Sequence, residues 1–495
     1  MNERRMGLGE LADAIAPQRI VGLPVGGVRG LAYDSRSVQA GELFFAVPGV
    51  HVDGLDFVPQ AVERGAVAVV VERELAPLAV PQLVVEGARR ALADAADAWF
   101  GRPSEHLEVI GVTGTDGKTT TAFLSEAVLR AGGRRPGLIG TVALHVGDEA
   151  RANEARNTTP EALELQALLA EMVAARNDAV VIEATSHGLA QERVRNCRFR
   201  VGMLTTVTSE HLEFHGTLEA YWAAKARLVE EAPLAVLNAD DGAYDYMRAR
   251  ARGEVLTYGI DAAVTMRVSD LAESPNGTSF IVHGPRWSGP VSVGLPGRFN
   301  VYNALAALTL AEAEGLDPAV AARAIGQMRG VPGRMERVDL GQPFGVVVDY
   351  AHTADSLEKV LRVLRPITGA RLIAVFGSAG ERDRTKRPAM GAVAGRLADI
   401  VIVTDEDPRL EEPHAINEEI AEGARQAGCA RLEVIDDRRA AIRRAIETAS
   451  DGDMILLAGK GHEQSMIYGT QRRPWDDREV ARQQLRAAGY GGSHE

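Results

Sequence analysis

The stretch "GVTGTDGKTTT" (residues 111–121) contains the residue types that can grip a polyphosphate. Glycines at 114 and 117 allow a turn tight enough to aim several backbone N–H groups at one anion. Lys118 would reach the β- and γ-phosphates, and the Thr119 hydroxyl would hold Mg²⁺. The match to the general Walker spacing is imperfect: Val112 stands five residues before Gly117, with Gly111 and Gly114 on either side. Context outweighs the mismatch. The apolar "LEVIGVTG" (107–114) reads as a buried strand and "TTAFLSEAVLRAG" as a helix, so the loop leads from a strand end into a helix N-terminus. A nucleotide site is expected at Gly114, Thr115, Asp116, Gly117, Lys118, Thr119 and Thr120.

Other segments are chemically ambiguous when read alone. In "TDEDPRLEEP" (404–413), five carboxylates surround Arg409, which reads as a solvated turn or as a guanidinium kept for an anion. "VIEATSHG" places Glu183 at a strand end, where it faces water, a cation or a hydrogen-bond network. His211 and His215 in "SEHLEFHG" fit helix caps or core positions equally well. Lys225 lies on the amphipathic "EAYWAAKARLVEE" (219–231), ordinarily as a solvated charge. "NTTPEAL" (157–163) reads as a helix start, with Thr159 as cap and Pro160 in the first turn.

The elements that must position these residues are α/β. A chain of 495 residues exceeds what one core supports, so several domains are expected. A small α/β unit runs to about Pro103, with "AVAVVVE" (66–72), "QLVVEG" and the helical "ARRALADAADAWF" (88–100). A second begins at 107 and continues through "DAVVIEATSHG", "VGMLTTVT" and "LAVLNADDG", apolar strands ending in polar loops, where open parallel sheets bind ligands. After a Gly/Pro-rich segment at 328–339, read as a linker, a third carries "FGVVVDYAH", "LIAVFGSAG", "ADIVIVTDED" and "DMILLAGKGHE". The expected domains are 1–105, 106–335 and 336–495: a small N-terminal α/β domain, a central P-loop mononucleotide-binding α/β domain, and a C-terminal Rossmann-like α/β domain. A formal charge of −13 argues against nucleic acid or an anionic membrane as partner, and no apolar run is long enough for a membrane span. Cys197 and Cys429 match no zinc or redox spacing, which points to a reduced, cytoplasmic setting, and a monomer is expected.

The phosphate loop "GTDGKTT", in order with the later motifs, resembles the Mur ligase family along nearly the whole chain. The resemblance is nearest to the branch that adds the third peptide residue to UDP-N-acetylmuramoyl-L-alanyl-D-glutamate. It implies an ATP-dependent amide ligase of peptidoglycan precursor synthesis. ATP phosphorylates a free carboxylate, an amine attacks the acyl phosphate, and domain closure excludes water. By the same resemblance Thr119, Glu183, His211 and a carbamylated Lys225 hold magnesium, with Lys118, Lys225 and His211 catalytic. It gives Asn303, Arg334, His352 and Asp355 to ATP, and Ser35, Thr158, Thr159, Ser186, Gln191 and Arg193 to the UDP-muramoyl-dipeptide. It gives Arg387, Glu406, Asp407, Pro408, Arg409, Gly459 and Glu463 to the incoming diamino acid.

Two departures stand out. Ala354 replaces the proline of the family's Y-A-H-T-P-D, and Asp407 replaces the asparagine of the diaminopimelate-adding D-N-P-R. An added charge at 407 would penalise a distal carboxylate and favour L-lysine or L-ornithine, leaving the diamino acid open. Alternatives are another Mur-type or folylpolyglutamate-type ligase, and, from a different class, a P-loop regulatory or transport ATPase.

Overall fold

The computed structural model describes residues 4–49, 52–153, 157–208, 210–274, 277–328 and 330–491. Three α/β sheets dominate it. The first orders its strands Arg19–Val21, Gln82–Val84, Ala68–Val71, Glu42–Phe45, Gly30–Ala32; the last four are mutually parallel. The run Ala68–Val71 is buried throughout, as a β-branched strand covered on both faces must be.

The central sheet has eight strands. Six run parallel, in the order Pro136–Ile139, Ala179–Glu183, Glu108–Thr113, Phe199–Leu204, Leu234–Asn238, Glu254–Tyr258, and a hairpin of Ala143–Val146 and Glu149–Ala152 adds two antiparallel edge strands. Glu108–Thr113 is flanked by Ala179–Glu183 and Phe199–Leu204, so the ends of all three open on one rim. Gly111 sits mid-strand because a Cβ there would fall 2.5 Å from the Leu228 side chain and 2.8 Å from Phe199.

The third sheet orders Glu336–Arg337, Gly345–Asp349, Met454–Ala458, Leu372–Phe376, Ile400–Val403, Leu432–Val434, parallel except at the first pair. Helices Ala354–Ile367, Lys386–Leu397 and Pro413–Gln426 bury residues against one apolar cluster, and Arg438–Thr448 and Asp477–Ala487 against another.

The described residues fall into two compact units. One comprises Met1–Arg267, Gly284–Arg286 and Leu305–Ala321, and thus holds the first two sheets; the other comprises Val268–His283, Trp287–Ala304 and Ala322–Glu495.

Several expectations need correction. A three-stranded sheet of Arg267–Ser274, Gly277–His283 and Ser288–Val293, the last two antiparallel, appears where the sequence reading had nothing. The 328–339 segment is not a loose linker: Glu336–Arg337 is a strand, and a Cβ on Gly333 would meet the His462 nitrogen at 2.0 Å. Residue Arg329 of that segment and Ser209 of "SEHLEFHG" lie outside the described residues. Among the described residues no helix is long and apolar enough to cross a membrane.

Candidate active site

The strand Glu108–Thr113 delivers the phosphate loop to the rim of the central sheet. Gly114 has no room for a side chain, since a Cβ would meet Thr205 Oγ1 at 1.9 Å. Gly117, at φ +84°, caps helix Lys118–Ala131. The loop is tied to the next strand's end: Thr115 N–H donates to the Thr206 carbonyl (2.6 Å), and Thr205 Oγ1 donates to the Asp116 carbonyl (2.6 Å). Lys118 arches back so that Nζ donates to the carbonyls of Gly114 (3.0 Å) and Thr115 (2.7 Å).

Lys225 converges on the same point. Its Nζ donates to the Gly114 carbonyl at 2.6 Å and lies 4.5 Å from the centre of the Tyr221 ring. The sequence suggested a solvated charge on helix Leu218–Glu231; the side chain is instead wholly enclosed. Burial, reinforced by the neighbouring Lys118 charge, pushes its amine well below the usual lysine value.

Glu183 ends its strand fully buried. Its Oε1 accepts from Thr141 N–H (2.8 Å), and its Oε2 from the hydroxyls of Thr119 (3.0 Å) and Thr141 (3.0 Å). A Cβ on Gly140 would fall 2.4 Å from Oε1, so glycine makes room for the carboxylate. A hydroxyl and a buried carboxylate oxygen side by side suit a hard, oxygen-seeking cation such as Mg²⁺. Among the described residues His211 makes no hydrogen bond to either. It adopts a left-handed backbone (φ +55°), its Nδ1 lies 3.4 Å from Glu213 and its Nε2 3.6 Å from Glu210. Its ring stacks edge-on with His187, whose own imidazole is pushed down to about 4 by burial and the adjoining His211 and His215.

A polar pocket adjoins Glu183. Thr159 Oγ1 donates to the Glu183 main-chain carbonyl (2.7 Å) and lies 3.0 Å from Thr185 Oγ1; Thr158 Oγ1 is 3.0 Å from Thr141 Oγ1. Thr159 is therefore not a helix cap: the helix begins at Ala162 with Glu161 as N-cap, and Pro160 precedes it. Ser186 opens the short helix Ser186–Ala190, and Gln191 closes it. Arg193 is held by the Thr159 carbonyl (3.0 Å), Gln191 (2.7 Å) and Glu161 (2.9 Å), and only its Nε is left without a partner. Ser35 donates to Gln60 at 2.7 Å.

In the other unit, the acidic loop is not a solvated turn. Asp405, Glu406 and Asp407 are all buried. Asp405 accepts from Asn417 (2.9 Å) and Tyr468 (3.1 Å); Asp407 Oδ1 from Lys460 Nζ (2.9 Å) and Ile467 N–H (3.0 Å). Glu411 pairs with Arg387, and Glu412 caps helix Pro413–Gln426. Arg409 takes part in none of this. Its backbone is left-handed (φ +56°) and anchored to Ile467 and Gly469, while its Nε is buried without a hydrogen-bond partner. Among the described residues no ion pair reaches its guanidinium.

Glu406 is the counterpart of that guanidinium: its Oε2 is also buried without a partner. Burial raises its carboxyl above the usual range against the pull of Lys386 and Lys460. Gly459, at φ +105°, leaves that oxygen clear, since a Cβ would lie 3.0 Å from it. Lys460 also pairs with Glu463 (2.5 Å); burial opposes its charge, yet Glu463, Asp407 and Glu406 together hold the amine above the usual value.

Three family models cover most of the chain: a Mur ligase family catalytic domain at 27–100, a Mur ligase middle domain at 112–311 and a Mur ligase glutamate ligase domain at 333–461. The chain belongs to the Mur ligase family. It is 48% identical over 487 residues to a UDP-N-acetylmuramyl-tripeptide synthetase of Roseiflexus sp. strain RS-1, covering 94% of this chain and 96% of that one. It is 44% identical over 494 residues to a UDP-N-acetylmuramoyl-L-alanyl-D-glutamate–2,6-diaminopimelate ligase of Solibacter usitatus, covering 98% and 99%. A solved structure of a ligase of that same name aligns with TM-score 0.70 and 33% identity over 97% of this chain and 99% of that one.

Within this Mur ligase the remaining expected residues stand as follows. Arg334 lies 5.0 Å over the Tyr350 ring, and His352 Nδ1 is 3.0 Å from the Tyr350 carbonyl; burial lowers the His352 pKa. Asp355, largely exposed, pairs with Lys359 (2.7 Å), one turn along its own helix. Ala354 is the first residue of that helix, behind the Thr353 cap; proline is tolerated there because no N–H is needed, so alanine changes little. Asn303 is buried and donates to Asn300 (3.1 Å), which itself donates to the Pro296 carbonyl (2.8 Å) rather than capping the helix.

Arg387 departs most from expectation. It is completely buried, and its terminal nitrogens are taken by Glu411 (2.9 Å each) and Glu419 (3.0 Å). It braces the loop and has only Nε left over. Residues that sequence reasoning missed are Thr141, Glu161, Tyr221, Glu411 and Lys460. Lys460 lies inside the quoted "GKGHE", but nothing in the sequence signals that Thr141 faces Glu183.

Proposed function

We propose that this Mur ligase joins meso-diaminopimelate to UDP-N-acetylmuramoyl-L-alanyl-D-glutamate at the expense of ATP, with Mg²⁺ as cofactor. The supporting observation is a matched pair of unsatisfied charges in one loop, the Arg409 guanidinium and the Glu406 Oε2. The end of diaminopimelate remote from the reacting amine carries both an ammonium and a carboxylate. L-Lysine and L-ornithine carry only the ammonium there and would leave Arg409 unanswered. Asp407, whose extra charge argued for lysine, is offset by Lys460 at 2.9 Å. The relatives named as diaminopimelate ligases agree with this choice.

The work divides as 1–105 for the UDP-muramoyl group, 106–335 for ATP and the ligation step, and 336–495 for the amino acid. Gly114 to Thr120 cradle the phosphates, with the helix N-terminus and the Lys118 amine facing their charge. Transfer of the terminal phosphoryl to a free carboxylate of the dipeptide gives an acyl phosphate and ADP. Attack by the amine of the diamino acid forms the amide bond and expels phosphate, the amine losing a proton. Thr158, Thr159, Ser186, Gln191 and Arg193 line the dipeptide pocket beside Glu183, with Ser35 on the uridine-nucleotide side. Thr119 and Glu183 hold Mg²⁺, which when bound offsets phosphate charge. A buried lysine amine kept below its usual pKa is free to add CO₂, giving a carbamate at Lys225 and releasing a proton. Asn303, Arg334, His352 and Asp355 serve the nucleotide.

The test offers meso-diaminopimelate, L-lysine and L-ornithine together, with ATP and the UDP-muramoyl-dipeptide, and weighs the product. The diaminopimelate adduct should dominate, and phosphate release should require both dipeptide and amino acid. A predominant lysine adduct removes the substrate assignment; phosphate release without any amino acid removes the ligase reading.

A further inference from the structure

Thr141 follows the strand Pro136–Ile139 and stands one hydrogen bond from Thr158, assigned to the dipeptide, and one from Glu183, assigned to the cation. Its N–H and its hydroxyl both contact Glu183, at 2.8 and 3.0 Å on different carboxylate oxygens. The same hydroxyl is 3.0 Å from Thr158 Oγ1. A hydroxyl has one proton to give. Glu183, when ionised, only accepts, so the Thr141 proton goes to Glu183 and its oxygen accepts from Thr158. The order is fixed as Thr158 to Thr141 to Glu183, with Thr119 donating to the same Glu183 oxygen at 3.0 Å. Gly140 contributes by lacking a Cβ that would displace the carboxylate.

We infer that Thr141 is a positioning residue that couples occupancy of the dipeptide pocket to the cation-holding carboxylate. This rests on the assignments of Thr158 to the dipeptide and Glu183 to Mg²⁺ made above. An acceptor group of the dipeptide that takes the Thr158 proton ends its donation to Thr141. Hydroxyls in a chain polarise one another, so the Thr141 bond to Glu183 then weakens and the carboxylate keeps more charge for the cation. Dipeptide therefore tightens cation binding, and by linkage the cation tightens dipeptide binding by the same factor. The coupling is at most about fivefold, the size of one whole net hydrogen bond.

The experiment titrates the full chain with Mn²⁺ as a spectroscopic stand-in for Mg²⁺, reading free Mn²⁺ by electron paramagnetic resonance, with and without UDP-N-acetylmuramoyl-L-alanyl-D-glutamate. The unmodified chain and Thr141→Ser should show tighter Mn²⁺ binding with dipeptide, by up to about fivefold. Thr141→Val should bind both ligands with a ratio near one; Thr141→Ala supplies the same comparison should the valine chain misfold. A ratio retained in the variants without a hydroxyl, or a ratio of one in the unmodified chain, overturns the inference alone. Mn²⁺ affinity unchanged in Glu183→Gln overturns the cation assignment beneath it.

Discussion

Replacing Asp407 by asparagine gives E-N-P-R at 406–409, one residue from the family's D-N-P-R, and the structure sets how much this should matter. A bare carboxylate about 6 Å from a substrate carboxylate, at an effective dielectric of 20, would repel it by about 3 kcal/mol, or about 100-fold in selectivity. Asp407 is not bare. Lys460 Nζ lies 2.9 Å from its Oδ1, and Ile467 N–H donates to the same oxygen at 3.0 Å. With an equal and opposite charge about 3 Å further off, the repulsion left over is about 1 kcal/mol, about fivefold. The ratio of kcat/KM for diaminopimelate to that for L-lysine should accordingly rise by no more than about fivefold when the pair is removed together, in Asp407→Asn with Lys460→Met. Asp407→Asn alone leaves the Lys460 charge in place, so the whole Asp407 contribution is lost and the ratio should rise by about 100-fold. A rise of about 100-fold in the double variant as well would refute the compensation argument.

Two other outcomes are expected. Lys225→Ala should lose at least about 100-fold in phosphate release, as for other buried electrostatic groups, and regain part of it in formate or acetate; full activity without added carboxylate disposes of the carbamate. Glu411→Gln should destabilise the fold rather than alter the KM for the amino acid, because it half-strips the buried Arg387. Its hydrogen bonds with Arg387, together with Glu381 N–H, hold the Glu411 carboxyl down from 4.5 to about 2. That displacement corresponds to about 3 kcal/mol, reduced by solvent screening to about 2. The contribution is fully present above pH 4.5 and is lost as pH falls through about 2, so urea midpoints of the two chains should converge only in strong acid. A raised KM with unchanged stability would return Arg387 to substrate binding.

The local patterns were legible from the sequence because their causes are local. The helix over 88–100 and the strands around 68, 109, 180, 235, 374 and 456 follow from apolar runs bounded by polar loops. The phosphate loop was readable from glycines in the right context, even with its irregular spacing, since strand, loop and helix are consecutive. The strands of 267–293 were missed because their apolar residues are few and interleaved with charged, glycine and proline residues, as in "RVSDLAES" and "SGPVSV".

Charge pairing was not legible. Lys225, Arg387 and Arg409 are three cations in polar sequence surroundings. One proves to be enclosed against Gly114, one is clamped by acids 24 and 32 positions away, and one has no ion pair among the described residues. Asp407 meets its lysine 53 positions on, and Glu183 meets Thr141 42 positions back. Sequence alone determined the elements, the phosphate loop and the family. Tertiary structure decided which charges are neutralised and which remain for a ligand, because desolvation and ion pairing depend on the strands and helices brought into contact, not on neighbours along the chain.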